Sequence, residues 1–134
     1  MAGYSGTPLP KKLGVKPGHR VVLLDAPAAF ALGGLPDDVT LATSLRGAAP
    51  IDVAVLFVAT NAALARRFAP VQRRLATAGG LWVAWPKKRS GVATELSDSV
   101  VRAHGLDAGL VDNKVCAIDE TWSGLRFVKR LRDR

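Results

Sequence analysis

Residues 79–91 read GGLWVAWPKKRSG, and this stretch predicts a buried strand around which the rest of the fold is arranged. The continuous apolar run from Leu81 to Trp85 predicts a strand buried on both faces, because a half-buried strand alternates apolar and polar residues. Gly79 and Gly80 are expected to end the preceding helix. Pro86 has no backbone N–H to donate to a neighbouring strand, so the strand is expected to end there. Such a strand is typical of a parallel sheet covered by helices.

A basic loop follows this strand at once. Lys87, Lys88 and Arg89 are three consecutive cations, and Ser90 and Gly91 then provide a hydroxyl and a permissive backbone. In open α/β sheets, ligands bind outside the carboxyl ends of the strands. Cations and free backbone N–H groups at that place favour an anion. The alternative is an ordinary solvated basic loop, and the sequence leaves both interpretations open.

The rest of the chain alternates between helical and strand patterns. Strands are predicted at residues 20–24, 39–41, 52–58, 81–85, 113–118 and 122–128, and helices at 8–13, 28–32, 61–75 and 96–104. Pro70 is expected to kink the longest helix or to divide it. The short spacing between the last two strands requires an antiparallel hairpin. The alternation predicts a mostly parallel sheet with helices on both faces.

Composition narrows the range of partners. The 134 residues are expected to form one domain, 1–134, with residues 1–7 flexible. The net charge of +8, from 19 basic and 11 acidic residues, favours an anionic small molecule or nucleic acid as partner. No apolar stretch approaches the roughly 18 residues that span a membrane, so no membrane partner is expected. The sequence does not define the oligomeric state.

The single cysteine indicates where the protein works. Cys116 has no second cysteine to pair with and lies in an apolar strand pattern, which predicts a structural thiol. With only two well-separated histidines, no metal site is predicted. We therefore expect a cytoplasmic protein without a metal.

Two segments and the closing hairpin resemble a known class of enzymes. Residues 13–24 read LGVKPGHRVVLL and residues 75–83 read LATAGGLWV. They resemble the first-strand approach and the fifth-strand entry of Rossmann-type S-adenosylmethionine-dependent methyltransferases, whose last strand inserts antiparallel beside its neighbour. The resemblance implies a three-layer Rossmann-like, methyltransferase-like α/β fold, with a mostly parallel sheet of about six strands that ends in an antiparallel hairpin.

The chain departs from those enzymes where they bind their cofactor. Residues 25–28 read DAPA in place of the glycine-rich turn after the first strand, and residues 39–45 contain no acidic residue to bind the cofactor ribose. The cofactor is therefore left unassigned.

A second resemblance extends over the whole chain. The segments at residues 3–9, 82–87, 91–94 and 111–127 resemble a family of short bacterial α/β proteins that is defined only as a domain of unknown function. That resemblance implies a fold and no activity.

The methyltransferase-like topology predicts where a site would lie. It brings the loops at residues 25–27, 86–91 and 119–123 to one rim of the sheet. The candidate ligand-binding residues on these loops are Asp25, Lys87, Lys88, Arg89, Ser90, Asp119, Glu120, Trp122 and Ser123. Carboxylates that face cations suit acid–base chemistry or anion binding, although ion pairs that cap strand ends use the same residues. A ligand pocket is expected to include Lys87, Arg89 and Trp122.

No reaction is assigned from the sequence. Ser90 lacks the Gly-x-Ser-x-Gly setting of a nucleophile, and no phosphate-binding P-loop motif occurs. Trp122 could stack on a ring or anchor the hairpin in the core, whereas Trp82 and Trp85 are expected on opposite faces of the sheet.

Three functional hypotheses follow. The first is a small Rossmann-like domain that binds an anionic or nucleotide-like ligand at the carboxyl rim. The second is a module that binds nucleic acid or an acidic protein through one arginine-rich face. That face would consist of Arg66, Arg67, Arg73, Arg74, Arg130 and Arg132. The third is a reduced S-adenosylmethionine-dependent methyltransferase.

Overall fold

The computed structural model describes residues 7–134 and contains one six-stranded sheet. Its strands are β1 (Arg20–Leu24), β2 (Thr40–Ala42), β3 (Ile51–Phe57), β4 (Leu75–Pro86), β5 (Leu110–Ala117) and β6 (Trp122–Lys129). The helices are α1 (Leu9–Leu13), α2 (Asn61–Arg74) and α3 (Asp98–Asp107), with single 3-10 turns at Lys88–Ser90 and Leu131–Asp133. The predicted flexibility of residues 1–7 falls outside the described residues except for Thr7.

The strand order is β2-β1-β3-β4-β6-β5. The pairs β1–β2, β1–β3 and β3–β4 are parallel, and β6 lies antiparallel between β4 and β5. This order confirms the predicted α/β class, with a mostly parallel sheet that ends in an antiparallel hairpin. None of the helices within residues 7–134 combines the length and the apolar character that crossing a membrane requires.

Strand β4 lies in the middle of the core. Residues 81–85 are buried on both faces, as the apolar run predicts. Trp82 packs in the cluster formed with α1, where its Nε1 donates to the Leu13 carbonyl oxygen at 3.1 Å. Trp85 packs in the opposite cluster, with residues of α2 and α3. The two tryptophans therefore lie on opposite faces of the sheet, which confirms that prediction.

The beginning of β4 differs from the prediction. Gly79 and Gly80 lie inside the strand and do not end α2, which passes into β4 at Leu75. The pairing with β3 is irregular between Ile51 and Val53. A Cβ on Gly79 would lie 2.7 Å from the Ile51 carbonyl oxygen. The glycine is therefore required for the close approach of two strands.

Helix α2 ends one residue earlier than predicted and is not divided. Thr60 is the N-cap, and its Oγ1 accepts a hydrogen bond from the Ala63 N–H at 3.1 Å. Pro70 lies within a single helix. The buried side chains of Phe68 and Val71 flank the proline and pack in one core cluster, which holds both parts of the helix on the sheet.

The predicted helix at residues 28–32 is absent. The segment forms only a turn, closed by the Phe30 N–H and the Pro27 carbonyl oxygen at 2.9 Å. A helix this short is unstable alone, and burial of Leu32 instead fixes the segment on the sheet. One face of the sheet is thus covered by α2 and α3, and the other by α1 and the segment that follows β1.

Candidate functional site at the carboxyl rim

The three predicted loops meet at one rim of the sheet. The carboxyl ends of β1, β3 and β4 share this edge because these strands are parallel. The hairpin between β5 and β6 joins them, since Pro86 at the end of β4 pairs with Trp122 at the start of β6. The candidate side chains lie at the same rim, but they do not all lie in one site. They form two groups.

The first group surrounds a cavity of about 650 Å³ at the ends of β4, β5 and β6. We call it the rim cavity. Its lining residues are Trp85, Pro86, Lys87, Lys88, Arg89, Leu96, Ser97, Asp98, Val115, Ala117 and Ser123. Of the candidate residues from the sequence, Lys87, Lys88, Arg89 and Ser123 lie here.

Positive charge dominates the mouth of the rim cavity. Lys88 and Arg89 are exposed, and no carboxylate within residues 7–134 pairs with either of them. Lys87 is half-buried, and its Nζ donates to the Asp119 carbonyl oxygen at 2.7 Å, which ties the hairpin turn to β4. Ser90 shapes the loop, because its Oγ donates to the Lys87 carbonyl oxygen at 2.6 Å. Two of the three cations are thus free to meet a ligand.

The amino-terminal end of α3 also faces the cavity. Ser97 is the N-cap of this helix, and its Oγ accepts from the Val100 N–H at 3.4 Å. Asp98 carries the only negative charge among the lining residues, and it forms an ion pair with Arg102 one turn later. Unpaired N–H groups at a helix start favour an anion. The ion pair with Arg102 reduces the repulsion between the Asp98 carboxylate and a bound anion.

The floor and one wall of the rim cavity are apolar. Trp85 and Leu96 are buried beneath the cations. Val115 is 56% exposed, which is unusual for a large apolar side chain on a strand. Ser97 and Val115 also line the cavity, and neither was among the residues predicted from the sequence. The helix start at Ser97 carries a recognisable capping signal, whereas nothing in the local sequence marks Val115.

The second group of candidate residues lies outside the rim cavity. Asp25 receives two hydrogen bonds from the Arg67 guanidinium, at 3.0 and 2.9 Å, and this partner raises the pKa of Arg67. Asp119 Oδ1 accepts from the backbone N–H groups of Thr121 and Trp122, both at 2.8 Å, so it stabilises the hairpin turn. Glu120 is exposed at the same turn.

Trp122 contributes to packing and does not line the rim cavity. Its ring meets the ring of Phe57 edge-on, with centroids 5.1 Å apart, on the face covered by α1. Phe57 in turn packs against Phe30 at 4.9 Å. Of the three residues expected together in a ligand pocket, only Lys87 and Arg89 line the same cavity.

The residues after β1 do not fit S-adenosylmethionine in the manner of the methyltransferases. Asp25 adopts the left-handed conformation with φ of 60°, at the position where those enzymes use glycine. Its carboxylate is bound by Arg67. Phe30, in the segment after β1, packs edge-on against Phe57 at the end of β3, with centroids 4.9 Å apart. We therefore derive no reaction step through this cofactor.

Cys116 is not among the residues that line the rim cavity. Cys116 is half-buried on β5, and burial raises the pKa of its thiol although Lys12 and Lys114 oppose this effect. Within residues 7–134, no group of three histidine, cysteine or carboxylate side chains is arranged to hold a metal ion.

The arginines proposed as one binding face differ in their surroundings. Arg67 is bound to Asp25, and Arg74 donates to the Ala49 and Leu45 carbonyl oxygens. Arg66 and Arg73 are exposed on α2. Protein groups therefore engage two of the four arginines on this helix.

Comparison with solved structures finds a related fold in larger proteins. A structure described as a pericyclic reaction enzyme matches with a TM-score of 0.50 and 13% identity, over 91% of this chain and 39% of that one. The structure of LepI in complex with SAM matches with a TM-score of 0.50 and 14% identity, over the same shares of 91% and 39%. At this identity the likeness shows the Rossmann-like fold alone, and the chain spans about two fifths of each protein's length. No family model and no curated protein sequence matches the chain.

Proposed function

We propose that this domain binds an anionic, nucleotide-like ligand in the rim cavity. The proposal rests on one observation. Lys88 and Arg89, which pair with no carboxylate in the described part of the chain, and the start of α3 face a single cavity whose floor is apolar. Ligand sites are typically concave and mainly apolar, with a few polar groups that fix orientation.

The two parts of the cavity suit two parts of one molecule. Lys88, Arg89 and the N–H groups at the start of α3 would bind a phosphate, by charge-assisted hydrogen bonds and by the helix dipole. Val115 and Leu96 offer apolar surface to a ring. A nucleoside monophosphate combines these features, whereas the neutral nucleoside lacks the anion and S-adenosylmethionine carries a cationic sulfonium.

The melting temperature of the protein with adenosine monophosphate tests the proposal. Saturation at about 100 times the dissociation constant adds about 2.7 kcal/mol of stability. For a domain of this size the melting temperature should rise by roughly 8 to 13 °C. Adenosine and S-adenosylmethionine at the same concentration are expected to give a much smaller rise or none. A rise with S-adenosylmethionine alone would favour the methyltransferase hypothesis and contradict this one.

Charge-neutral variants locate the binding site. Replacing both Lys88→Gln and Arg89→Gln should weaken the binding of adenosine monophosphate about tenfold, because two charge-assisted contacts are lost. Arg66→Gln with Arg73→Gln removes the same charge from exposed positions on α2 and serves as the matched control. Equal weakening by both double variants would indicate a general charge effect and would refute a site in the rim cavity.

Two further predictions from the sequence accompany this proposal. We also propose, from the second resemblance, that the chain is related to short bacterial α/β proteins, and, from its single cysteine, that it is cytoplasmic. Both stay predictions, and neither affects the binding experiment.

A further inference from the structure

A second basic site lies on the opposite face of the sheet, near the amino ends of the parallel strands. A cleft of about 350 Å³ opens there between α1, the turn after it and the strands β5 and β6. We call it the basic cleft. Its charged lining residues are Lys11, Lys12, Lys16, Lys114, Arg126 and Asp52. It is separate from the rim cavity, because Lys114 and Val115 are adjacent on β5 and line different pockets.

The charges in the basic cleft are unbalanced. Besides Lys12, whose Nζ donates to the Ala117 carbonyl oxygen at 3.1 Å, the described lining residues include the cations Lys11, Lys16, Lys114 and Arg126 and the single carboxylate of Asp52, so positive charge is in excess. That carboxylate, Asp52, already accepts a hydrogen bond from the Arg20 N–H at 2.8 Å. No ion pair within residues 7–134 includes Lys11, Lys16, Lys114 or Arg126. An anion in the cleft would balance this charge.

Arg126 is the best-defined cation of the cleft. Its side chain is half-buried. Within residues 7–134, its only side-chain hydrogen bond is a long one, in which the guanidinium donates to Asn113 Oδ1 at 3.4 Å. The guanidinium lies over Gly80, where any Cβ would overlap it. Burial lowers the pKa of Arg126, and the charge of Arg134 lowers it further. A half-buried cation that has no carboxylate partner within residues 7–134 is only partly compensated by water, and an anion would stabilise it.

We infer that the basic cleft binds a ligand with two or more phosphate groups. A phosphate monoester carries about −1.5 to −2 charges at neutral pH, so about two phosphates match the excess of the cleft. Lys114 helps to shape the site, since its Nζ donates to the Lys12 carbonyl oxygen at 2.9 Å and so joins β5 to α1. The phosphates belong either to a free polyphosphate or to a nucleic-acid backbone; both present anionic phosphate oxygens, but each backbone phosphodiester carries a single charge, so more phosphates are needed to match the cleft.

Calorimetric titration with pyrophosphate and with a short oligothymidylate tests this inference and separates the two sources. Binding of pyrophosphate without the oligonucleotide identifies a free polyphosphate. Binding of the oligonucleotide with a steep dependence on salt identifies a nucleic-acid backbone. If neither probe binds at millimolar concentration and low salt, the inference is wrong.

Two kinds of variant assign the binding to the cleft. Lys16→Gln with Lys114→Gln removes two exposed cations and should weaken binding about tenfold. Gly80→Ala leaves the cations in place but displaces the Arg126 guanidinium, which is the end of a flexible side chain, so the fold should persist while affinity falls. Arg66→Gln with Arg73→Gln removes the same charge from exposed positions on α2, outside both pockets, and is the matched control that should bind as the unaltered protein does. If Lys88→Gln with Arg89→Gln weakens the binding of these probes and the cleft variants do not, the anion site is the rim cavity alone, and this inference fails while the proposed function stands.

Discussion

Replacing Trp82 with alanine is expected to lower the free energy of unfolding by about 3–5 kcal/mol. Trp82 is fully buried at the centre of β4, where its ring packs under α1. The substitution leaves a large cavity and also leaves the Leu13 carbonyl oxygen without the indole N–H that it accepts at 3.1 Å. Denaturant unfolding followed by far-UV circular dichroism measures the change. Because domains of this size have a total stability of about 5–15 kcal/mol, this loss is at least about a fifth of the total, and the melting temperature of the variant should fall clearly.

Two further variants separate packing from the hydrogen bond. Trp82→Phe keeps an aromatic ring but loses the N–H, and it should cost about 1–3 kcal/mol. Leu131→Ala alters a side chain that is 82% exposed and should change stability by less than about 0.5 kcal/mol. If Trp82→Ala cost no more than Leu131→Ala, the placement of α1 over β4 would be incorrect.

The sequence was sufficient to predict the part of the fold that depends on local patterns. The apolar run at residues 81–85 predicts a buried central strand, and the short connection before Trp122 requires an antiparallel pair. Both predictions hold because one segment of chain contains all the information they need. The same logic gives the opposite orientation of Trp82 and Trp85, which follows from the alternation of side chains along any strand.

Predictions that depended on distant contacts were less successful. Gly79 and Gly80 resemble a helix end in the local sequence, yet they lie in β4 because Ile51 and Arg126 approach them closely. The segment after β1 has helical composition, yet burial of Leu32 holds it as an irregular segment. In each case a contact with a remote residue outweighs local propensity.

The candidate site shows the same division. The topology predicts which loops share a rim, since that follows from strand order. It does not predict which side chains point into one cavity. Asp25 and Trp122 lie at the rim but are engaged by Arg67 and Phe57. Val115 completes the rim cavity from the far side of the hairpin, and only the register between β5 and β6 brings it there.

The two pockets explain how one small domain can use a large positive charge. The rim cavity and the basic cleft lie on opposite faces of the sheet, and each contains cations that lack carboxylate partners within the described part of the chain. Surface cations alone are weak evidence for a partner, because they also serve solubility. The cations in these two pockets differ from ordinary surface cations because they surround concave surfaces. Their replacement should therefore weaken ligand binding without changing the stability of the protein.

The second large effect is expected from a single added methyl group. Gly105 lies on the buried face of α3, and a Cβ at this position would overlap the ring of Phe127 on β6. Phe127 is fully buried and packs edge-on against Phe68, with centroids 5.7 Å apart, so its ring has no space to move. Overpacking of this kind costs about 1–3 kcal/mol and sometimes more. Alanine regains up to about 1 kcal/mol of helix propensity. We expect Gly105→Ala to lower stability by about 2 kcal/mol.

Gly34→Ala is the matched control for this substitution. A methyl group on Gly34 would have no heavy atom within 4 Å, and this residue does not require a positive φ. Alanine there should leave stability unchanged or raise it by about 0.4–1 kcal/mol.

A smaller side chain at position 127, opposite Gly105, provides the second test. When Gly105→Ala is combined with Phe127→Leu, the loss should be smaller than the sum of the two single losses, because the leucine leaves room for the methyl group. Strict additivity in this cycle would mean that α3 does not pack on β6 through this contact. A favourable coupling would show that the absence of a side chain at Gly105 lets α3 pack closely on β6 through the Phe127 ring.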